Sequence, residues 1–441
     1  MTYTSELSSM QSGIELILKI LRNNKILILG FGREGQSTLR FLNHWLPDAE
    51  IGLADANLIS ETILPENHSY TLHTGPDYLQ AVEKYQFIIK TPGIPGRLIQ
   101  LKSDQILSSQ TDLFLEAFHK QVIGISGTKG KSTCSSLIHH VLQESGFQSI
   151  LTGNIGIPCF DIIPQINPSS WVVFELSANQ LEMSKHSPRI AVLLNIYEEH
   201  LDHFGTYEAY IRAKLQLIKY SSIGDTVILH KSLRQYYSGN AMLHLFPDPA
   251  QLQNAHALKL RGEHNQWNAQ AAALAAKAVG VDKNSMTKAL LSFTGLPHRL
   301  EFVGEKNGIS FYNDSIATIP EACIAALKTF EKVDYLIVGG FDRGIHYEIL
   351  ADYLLQYPVK HLFLIGKAGQ RIGMLLLKRN NDIMMIHHIE NLKDVFGVIA
   401  HYGQAGEICL LSPAASSYDQ FKNFEHRGEV FKTLVVEFGN S

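Results

Sequence analysis

Short apolar runs of strand length alternate with longer segments of helical spacing along the whole chain. In the first part, KILILG (25–30), IGLAD (51–55) and FIIKTPG (87–93) have the length of buried strands, and the helical pattern QSTLRFLNHW follows the first run. Continuous apolar runs without strict alternation are typical of strands that are covered on both faces. The pattern therefore predicts a small parallel sheet in the first part of the chain.

Two further groups of strands and helices follow the first. The second group contains strand-like runs at 121–126, 171–177 and 191–197 and the helical patterns STCSSLIHHVLQES, EAYIRAKLQLIKYS and NAQAAALAAKAVG. The third group contains runs at 335–340, 361–366 and 408–413, and it begins after GLPHRLEFVGEKNG, which we interpret as a turn region from its glycines and proline. Strands alternating with helices predict an α/β fold. We place three domains at 1–118, 119–298 and 299–441.

Composition narrows the classes of function. The 441 residues are 45% hydrophobic, with a formal charge of −4, which gives no basic footprint for nucleic acid or anionic lipid. The four cysteines form no CxxC pair, which favours a reducing compartment and thiols that act as small core residues. No apolar run in the sequence approaches the roughly 18 residues that a membrane helix needs. We therefore expect a cytoplasmic, soluble protein.

The stretch QVIGISGTKGKST (121–133) joins an apolar run to a helical pattern through a turn with almost no bulky side chain. A glycine-rich strand-to-helix turn presents free backbone N–H groups at a positive helix end, where an anion binds. Lys131 can reach a terminal phosphate, and Ser132 offers a hydroxyl to Mg²⁺. The first glycine of the generic phosphate loop is replaced by isoleucine, so an ordinary turn is the alternative. We predict a nucleoside triphosphate site and leave Lys129 as a solvated side chain.

A second glycine turn, GFGREG (30–35), follows the first strand, and Asp55 comes 20 residues later at the end of the next strand. This spacing matches the dinucleotide fingerprint and its ribose-binding acid, although the motif is weak by itself. Only roughly 90 residues separate this turn from the phosphate loop, too few for both halves of a dinucleotide fold. One half that holds a single nucleotide diphosphate fits the available length better.

Other polar residues follow predicted strands. Glu175 ends the run WVVFE and is placed to hold Mg²⁺, with a capping role as the alternative. His200 follows the next strand, but Mg²⁺ prefers oxygen, so spacing alone does not make this histidine a ligand. Asn265 and Asn268 lie at a predicted helix start, where they could bind a base or a phosphate or act as N-caps.

Seven motifs in a fixed order span the chain: GTKGKST, ELSANQ, NIYEEHLD, GEHNQWN, GLPHR, NDSIAT and LSPAASSYDQFKNFEHRG. Together they closely resemble the Mur ligases of bacterial peptidoglycan synthesis, above all the branch that adds glutamate to UDP-N-acetylmuramoyl-L-alanine. The resemblance implies an N-terminal Rossmann-like domain for the UDP-sugar, a central P-loop ATPase-type parallel sheet and a C-terminal Rossmann-like domain. It also explains two nucleotide loops, because the first would bind uridine diphosphate instead of NAD.

The resemblance implies roles for individual residues. Those expected at ATP are Gly127, Thr128, Gly130, Lys131, Ser132, Thr133, Asn265, Asn268, Arg299 and Asp314. Those expected at the UDP-sugar are Gly30, Gly32, Arg33, Glu34, Gly35, Asp55, Asn154 and Gln180. Those expected at glutamate are Thr318, Arg343, Ser417 and Phe424. Ser132, Glu175, His200 and Lys214 would hold magnesium at two sites, with Lys214 N-carbamylated, and Lys131, Lys214 and His200 would be catalytic.

The implied chemistry is amide formation through an acyl phosphate. A carboxylate is a poor acylating agent, so the alanyl carboxylate first attacks the γ-phosphate of ATP while lysine and magnesium neutralise charge. The glutamate amine then attacks the acyl phosphate, and phosphate leaves. Closure of the domains would exclude water, which would otherwise hydrolyse the intermediate. We expect small-molecule substrates only, no nucleic acid or membrane insertion, and a monomer.

Two positions depart from the pattern of the D-glutamate enzymes. Ile316 stands where those enzymes usually have a lysine that holds the amino acid, and Arg343 stands where they have another lysine. Isoleucine cannot donate to a carboxylate, and arginine presents a broader donor fork than lysine does. These features also resemble a less common branch that adds L-glutamate, whereas the tail DQFKNFEHRG is closer to the D-glutamate enzymes. We favour D-glutamate and keep L-glutamate as the alternative.

Other classes of protein remain as alternatives. A NAD-dependent oxidoreductase would account for GFGREG but leaves GTKGKST unexplained. A P-loop ATPase without ligase chemistry would hydrolyse ATP without needing a UDP-sugar or an amino acid. The folate polyglutamylating ligases share the central loop, but they are not expected to carry the tail DQFKNFEHRG.

Overall fold

The computed structural model describes residues 3–60, 64–65, 70–154, 156–247, 258–259, 262–379 and 384–439. The chain divides into two compact units, one of residues 1–258 and 263–293 and the other of residues 259–262 and 294–441. Each unit contains mainly parallel β-sheets covered by helices, which confirms the predicted α/β class. The three-domain division at 118 and 298 stays a prediction, because the first two sheets lie within one unit.

The first sheet has five strands in the order β3-β2-β1-β4-β5, and each neighbouring pair is parallel. Its elements are α1 (Tyr3–Leu21), β1 (Ile26–Leu29), α2 (Arg33–Trp45), β2 (Ile51–Asp55), β3 (Tyr70–Thr74), β4 (Phe87–Lys90), β5 (Ile106–Ser108) and α3 (Gln110–Phe118). Ile26 and Ile28 pack into one hydrophobic cluster, and Leu27 and Leu29 pack into another. Burial on both faces is why this strand is a continuous apolar run.

The second sheet has six parallel strands in the order β11-β10-β9-β6-β8-β7. Its strands are β6 (Val122–Ser126), β7 (Ser149–Gly153), β8 (Trp171–Glu175), β9 (Ile190–Leu193), β10 (Thr226–His230) and β11 (Met242–Phe246). Its helices are α4 (Lys131–Glu144), α5 (Ala178–Leu181), α6 (Leu201–Phe204), α7 (Tyr207–Lys219), α8 (Glu263–Val279) and α9 (Lys283–Ser292). One hydrophobic cluster joins this sheet to the first, with the rings of Phe41 and Phe160 4.5 Å apart.

The second unit has six strands in the order β12-β13-β17-β14-β15-β16. Its strands are β12 (Glu301–Lys306), β13 (Ile309–Asn313), β14 (Tyr335–Gly339), β15 (His361–Ile365), β16 (Met385–Ile389) and β17 (Ile408–Leu411). Its helices are α10 (Pro320–Leu327), α11 (Glu348–Gln356), α12 (Gly366–Lys378), α13 (Lys393–Tyr402) and α14 (Phe424–Phe438). Alternate residues of β14 face two separate hydrophobic clusters, which again explains a continuous apolar run.

The prediction of a turn region at 295–308 was wrong. This region contains β12, which pairs antiparallel with β13 through the two-residue turn Asn307–Gly308. Both turn residues have positive φ, 52° and 76°, as a type I′ hairpin turn requires. The Asn-Gly pair that ends GEKNG is a hairpin signal, and here it outweighs the turn signals of the other glycines and the proline.

Two further expectations concern the bulk of the chain. All four cysteines are free and buried, which confirms their role as core residues. Among the helices of the described residues, none combines the length and apolar character needed to cross a bilayer.

The glycine turn after β1 brings α2 unusually close to the sheet. Gly30 has a φ of +96°, and a Cβ added there would lie 1.9 Å from Thr91 Oγ1. A Cβ on Gly35 would lie 2.2 Å from the carbonyl oxygen of Gly30. A Cβ on Gly32 would meet nothing within 4 Å, and the φ of Gly32 is −72°. The first and third glycines are therefore required by packing, whereas the middle one is not.

We expect Gly35→Ala to lower the free energy of unfolding by roughly 1–3 kcal/mol, the usual cost of overpacking, because its methyl group would overlap backbone. Gly32→Ala is the matched control and should leave stability unchanged or slightly higher. Thermal and urea unfolding of the two variants beside the parent chain provides the measurement. Equal stability of the two variants would contradict the packing argument.

Candidate active site

The phosphate loop lies between β6 and α4, where the sequence predicted it. Gly130 ends the loop in the left-handed region with a φ of +85°, and α4 begins at Lys131. Asn195 is the second residue after β9, the strand beside β6, and it holds the loop in place. Its side-chain Oδ1 accepts from the backbone N–H of Thr128 at 3.0 Å and of Lys129 at 2.8 Å. Sequence reasoning quoted Asn195 within a motif but gave it no role, although its place after a core strand was the available signal.

Two lysine side chains converge on a single carbonyl of this loop. Lys131 Nζ donates to Gly127 O at 3.0 Å and to Thr128 O at 3.0 Å, and Lys214 Nζ donates to Gly127 O at 2.8 Å. Lys214 is 1% exposed, and its burial lowers its pKa to about 7, with the charge of Lys131 acting in the same direction. Ser132 and Thr133 follow in the first turn of α4 and are half-buried. The loop thus forms a concentrated positive centre suited to phosphate.

Lys129 lies apart from this centre. Its side chain is 70% exposed and forms an ion pair with Glu199. Sequence analysis left this residue as a solvated lysine, and the structure agrees.

Glu175 ends β8 beside the loop and is fully buried. Its Oε1 accepts from Asn154 Nδ2 at 2.9 Å, whereas its Oε2 has no partner among the described residues. A buried carboxylate oxygen without a donor requires an explanation, and a cation supplies one. The hard oxygen donor is of the kind that Mg²⁺ prefers, so Glu175 fits a magnesium ligand.

His200 is more exposed than Glu175, and the expected magnesium ligands do not form a compact cluster in the described ranges. His200 has a left-handed backbone, with a φ of 58°, and its side chain is 54% exposed. The described ranges contain no group of three or more His, Cys, Asp or Glu side chains arranged to hold a metal ion. Magnesium commonly uses one or two carboxylates and completes its shell with substrate phosphates and water. The residues present suit that kind of site and not an all-protein cage.

One of the two asparagines of α8 lies against the phosphate loop, and the other contacts its side chain. A Cβ on Gly130 would come within 2.6 Å of Asn268 Oδ1, so the amide of Asn268 lies against the loop. Asn268 Nδ2 also donates to Asn265 Oδ1 at 3.1 Å. Because α8 begins at Glu263, both residues lie inside the helix, and the alternative N-cap role is wrong.

A cavity of about 420 Å³ lies at the carboxyl edge of the first sheet. Seven of the eight residues predicted to bind the UDP-sugar line it, namely Gly30, Gly32, Arg33, Glu34, Asp55, Asn154 and Gln180. The eighth, Gly35, lies in α2 and packs against the carbonyl group of Gly30 in the glycine turn. Sequence reasoning missed Tyr78 and the turn Thr91–Ile94, which also line the cavity. The sequence analysis assigned TPG to the strand-like run 87–93, whereas β4 ends at Lys90 and TPG forms a turn. The proline and glycine of TPG are turn residues and were the available signal.

Hydrogen bonds within the cavity walls fix two of its carboxylates. Asp55 Oδ2 accepts from the backbone N–H of Phe31 at 2.7 Å, so Asp55 ties the glycine turn to the end of β2. Glu34 Oε1 accepts from Gln180 Nε2 at 2.7 Å, whereas Glu34 Oε2 is buried and has no hydrogen-bond partner within the described part of the chain. Burial raises the pKa of Glu34. Ser177 donates through its backbone N–H to Gln180 Oε1 at 2.9 Å, which orients the amide of Gln180.

In the second unit, the residues expected at glutamate follow β13, β14 and β17. Arg343 Nη2 donates to Thr318 O at 3.0 Å and so links two of the expected segments. Ser315 Oγ donates to Phe424 O at 2.8 Å, and Ser417 is buried. Parallel strands place these segments at one edge of the sheet.

The two residues of this unit expected at ATP differ in character. Arg299 is exposed, whereas Asp314 is buried, and burial raises its pKa to about 7. Both oxygens of Asp314 are engaged, by Leu300 N at 3.1 Å and by Ser412 Oγ at 2.8 Å. These bonds give Asp314 a structural role within the unit, independent of any ligand.

Arg427 was quoted in a motif without a role, yet it crosses the core of the second unit. It donates to Ser315 Oγ and Ser315 O, each at 2.9 Å, and to Ala415 O at 3.0 Å. Burial lowers its pKa to about 10. A buried arginine with backbone partners therefore holds together the two segments that carry Thr318 and Ser417.

Comparison with known proteins gives two family matches. Residues 125–239 match the Mur ligase middle domain, and residues 298–415 match the Mur ligase, glutamate ligase domain. The chain is 31% identical over 455 aligned positions to the UDP-N-acetylmuramoylalanine--D-glutamate ligase of Acetivibrio thermocellus, covering 95% of this chain and 97% of that protein. It is 32% identical to the protein of the same name from Ruminiclostridium cellulolyticum, covering 97% of this chain and 99% of that protein.

Solved structures give the same fold at lower identity. The UDP-N-acetylmuramate-alanine ligase MurC of Thermotoga maritima superposes with a TM-score of 0.53 at 17% identity, covering 93% of this chain and 98% of that chain. A MurF ligase from the same organism, solved with ADP, superposes with a TM-score of 0.51 at 16% identity, covering 96% and 99%. At such identities the likeness concerns the fold alone.

We expect Lys131→Ala to lower ATP turnover by about 100-fold or more, because a preorganised cation at the phosphates would be lost. Lys129→Ala is the matched control, since this neighbouring lysine pairs with Glu199 at the surface. Steady-state release of ADP measures turnover, and calorimetric titration of a UDP-sugar into Lys131→Ala should give the affinity of the parent chain. Equal turnover in the two lysine variants would disprove the assignment of the loop.

Proposed function

The chain belongs to the Mur ligase family of ATP-dependent ligases, and we propose that it adds D-glutamate to UDP-N-acetylmuramoyl-L-alanine in peptidoglycan precursor synthesis. One observation supports this function most. The segment that ends β8 and forms α5 carries Glu175, beside the phosphate loop, and Gln180, in the wall of the 420 Å³ cavity, five residues apart. A sugar-linked carboxylate in the cavity and a triphosphate on the loop would therefore meet across this segment.

The residues of this chain suit an acyl-phosphate route. The alanyl carboxylate attacks the γ-phosphate of ATP and releases ADP, and Lys131 neutralises charge on the phosphoryl group as it transfers. Magnesium, which would be held by Ser132, Glu175 and His200, supplies further neutralisation at the phosphates. The glutamate amine then attacks the acyl carbon, and inorganic phosphate leaves as the amide forms.

Family membership argues against the other classes of protein considered from the sequence. The function of a NAD-dependent oxidoreductase would not explain two lysines that converge on a phosphate loop. A simple P-loop ATPase has no use for a second, polar cavity that shares a wall with the ATP side.

Lys214 is proposed to act as an N-carbamate that helps to hold a second magnesium ion. Carbamylation needs a neutral amine, which attacks CO₂ and releases a proton as the carbamate forms. Burial lowers the pKa of Lys214 to about 7, so a large fraction of the amine is neutral at physiological pH. A carbamate would also replace two adjacent positive charges by a pair of opposite charges, since Lys131 shares the carbonyl of Gly127.

The glutamate pocket is proposed to lie around Thr318, Arg343, Ser417 and Phe424. Arg343 already contacts Thr318 O, so its fork can serve where Ile316 provides no donor. The similar proteins from Acetivibrio and Ruminiclostridium are named for D-glutamate, which favours that enantiomer. L-glutamate remains the competing substrate because of Ile316 and Arg343.

Cellular location and assembly are part of the proposal. The nucleotide substrates are made in the cytoplasm, and we propose that the protein works there as a monomer. The sequence-based expectation of small-molecule partners alone is retained.

Purified protein supplied with ATP, magnesium and UDP-N-acetylmuramoyl-L-alanine should form amide product at least about 10-fold faster with D-glutamate than with L-glutamate. Product is measured by mass spectrometry, and phosphate release provides an independent rate. Alanine and glycine serve as control amino acids and should give no product. Faster turnover of L-glutamate would reassign the substrate, and ADP release without amide formation would disprove the ligase function.

We expect Lys214→Ala to lower ligation by about 100-fold or more, with partial recovery in formate or acetate, whose carboxylate can replace the carbamate. Lys219→Ala, an exposed change on the same helix, is the matched control. For the parent chain, CO₂-depleted buffer should lower activity more below pH 7 than above it. At pH values below the Lys214 pKa of about 7, most of the amine is protonated and less of it can react with CO₂. Absence of recovery in either acid would contradict carbamylation.

A further inference from the structure

A cluster of polar contacts joins the wall of the cavity to the turn that contains His200. We call it the turn brace and define it as Lys90, Gly96, Arg97, Glu182 and His203. Lys90, Gly96 and Arg97 lie at or just after the end of β4, on either side of the cavity-lining turn Thr91–Ile94. His203 lies in α6, the short helix that begins directly after His200. Glu182 is the residue that follows α5. None of the functions assigned above uses these five residues.

Glu182 is the centre of the brace. Its Oε1 accepts from Gly96 N at 3.0 Å, and its Oε2 lies 3.1 Å from Lys90 Nζ and 3.3 Å from His203 Nε2. Lys90 is 2% exposed, so its charge depends on this carboxylate. The position of Glu182, two residues beyond Gln180, connects the brace to the segment shared by the two sites.

The imidazole of His203 is held on both sides of its ring. Its Nδ1 lies 3.3 Å from Asn179 Nδ2, and its Nε2 lies 3.3 Å from Glu182 Oε2. Asn179 and Glu182 both belong to the segment that carries Gln180, so this ring ties α6 to that segment.

Arg97 closes the brace from the surface. Its Nε donates to His203 O at 3.0 Å and its Nη2 donates to Asp202 O at 2.9 Å. These carbonyls belong to α6, which is too short to be rigid by itself. The turn Thr91–Ile94 and the turn at His200 are consequently held to each other by two independent sets of bonds, through Glu182 and through Arg97.

We propose that the turn brace is a positioning device that sets the distance between the sugar-linked carboxylate and the γ-phosphate in the first chemical step. The proposal rests on the function proposed above, since it concerns how the two substrates meet. A misplacement of about 1 Å between reacting groups can lower the rate by about 100-fold while each substrate still binds. Arg97 and Glu182 are positioning residues in this scheme, because neither is placed in contact with a substrate.

The first test uses Arg97, whose removal leaves no buried charge behind. In Arg97→Met, kcat for amide formation should fall about 10- to 100-fold, while KM for ATP and for the UDP-sugar changes less than about threefold. Arg97→Lys should recover part of kcat by restoring one donor. Arg40→Met is the matched control, because Arg40 on α2 likewise bonds to a segment of the second sheet's part of the chain, with Nη2 2.6 Å from Asp161 Oδ2, and neither residue lines the cavity. Its kcat should equal that of the parent chain.

The second test separates positioning from stability. Glu182→Leu alone leaves the Lys90 ammonium buried without its carboxylate and should lower the melting temperature, whereas Lys90→Met with Glu182→Leu removes the whole pair. We expect the double variant to regain the melting temperature of the parent chain and to keep a kcat at least about 10-fold lower. Recovery of both properties would reduce the pair to a structural role and overturn the proposal.

Two results would overturn the proposal for Arg97. One is an unchanged kcat in Arg97→Met, and the other is an equal loss in Arg40→Met. Failure of the proposed function is a different result, because the parent chain itself would then form no amide. Calorimetric titration of an ATP analogue and of the UDP-sugar into each variant confirms that binding survives and that the loss lies in the chemical step.

Discussion

Two lysine side chains that donate to the carbonyl of Gly127 form the interaction on which the ATP side of this protein depends. Burial of Lys214 lowers its pKa to about 7, and the nearby charge of Lys131 acts in the same direction. The protein tolerates this arrangement because backbone N–H groups, a left-handed glycine and Asn195 hold the loop open in the required shape. The shape of the phosphate loop is therefore fixed by contacts within the protein before a ligand binds.

The parallel sheets bring the other functional groups to the same place. Strands β6 and β8 pair in register up to Ile125 and Glu175, which puts the carboxylate of Glu175 next to the start of the phosphate loop. In the second unit the same topology gathers the segments after β13, β14 and β17, and there a buried arginine, Arg427, supplies the connection. Each site therefore depends on a buried charged residue in addition to the sheet edge. This residue is Glu175 beside the phosphate loop and Arg427 in the second unit.

Much of the fold followed from the sequence, because strands buried on both faces are continuous apolar runs that need no alignment to recognise. The hairpin of β12 and β13 was missed because β12 is half-buried and the glycines of this region suggested a turn. For the site, motif order located the loop, Glu175 and seven residues of the cavity. Burial of Lys214, the role of Asn195 and burial of the Glu175 carboxylate arise from contacts distant in sequence, which no local pattern contains.

Gln180 performs two tasks with one side chain, since it completes the capping box of α5 with Ser177 and also donates to Glu34 in the cavity wall. The helix it caps has only four residues and follows Glu175 almost directly. A small molecule that drew the amide of Gln180 away from Ser177 would unwind this helix and disturb the carboxylate beside the phosphate loop. An inhibitor designed against this single amide would thus act on both halves of the reaction, and resistance by replacement of Gln180 would cost the enzyme its own helix cap.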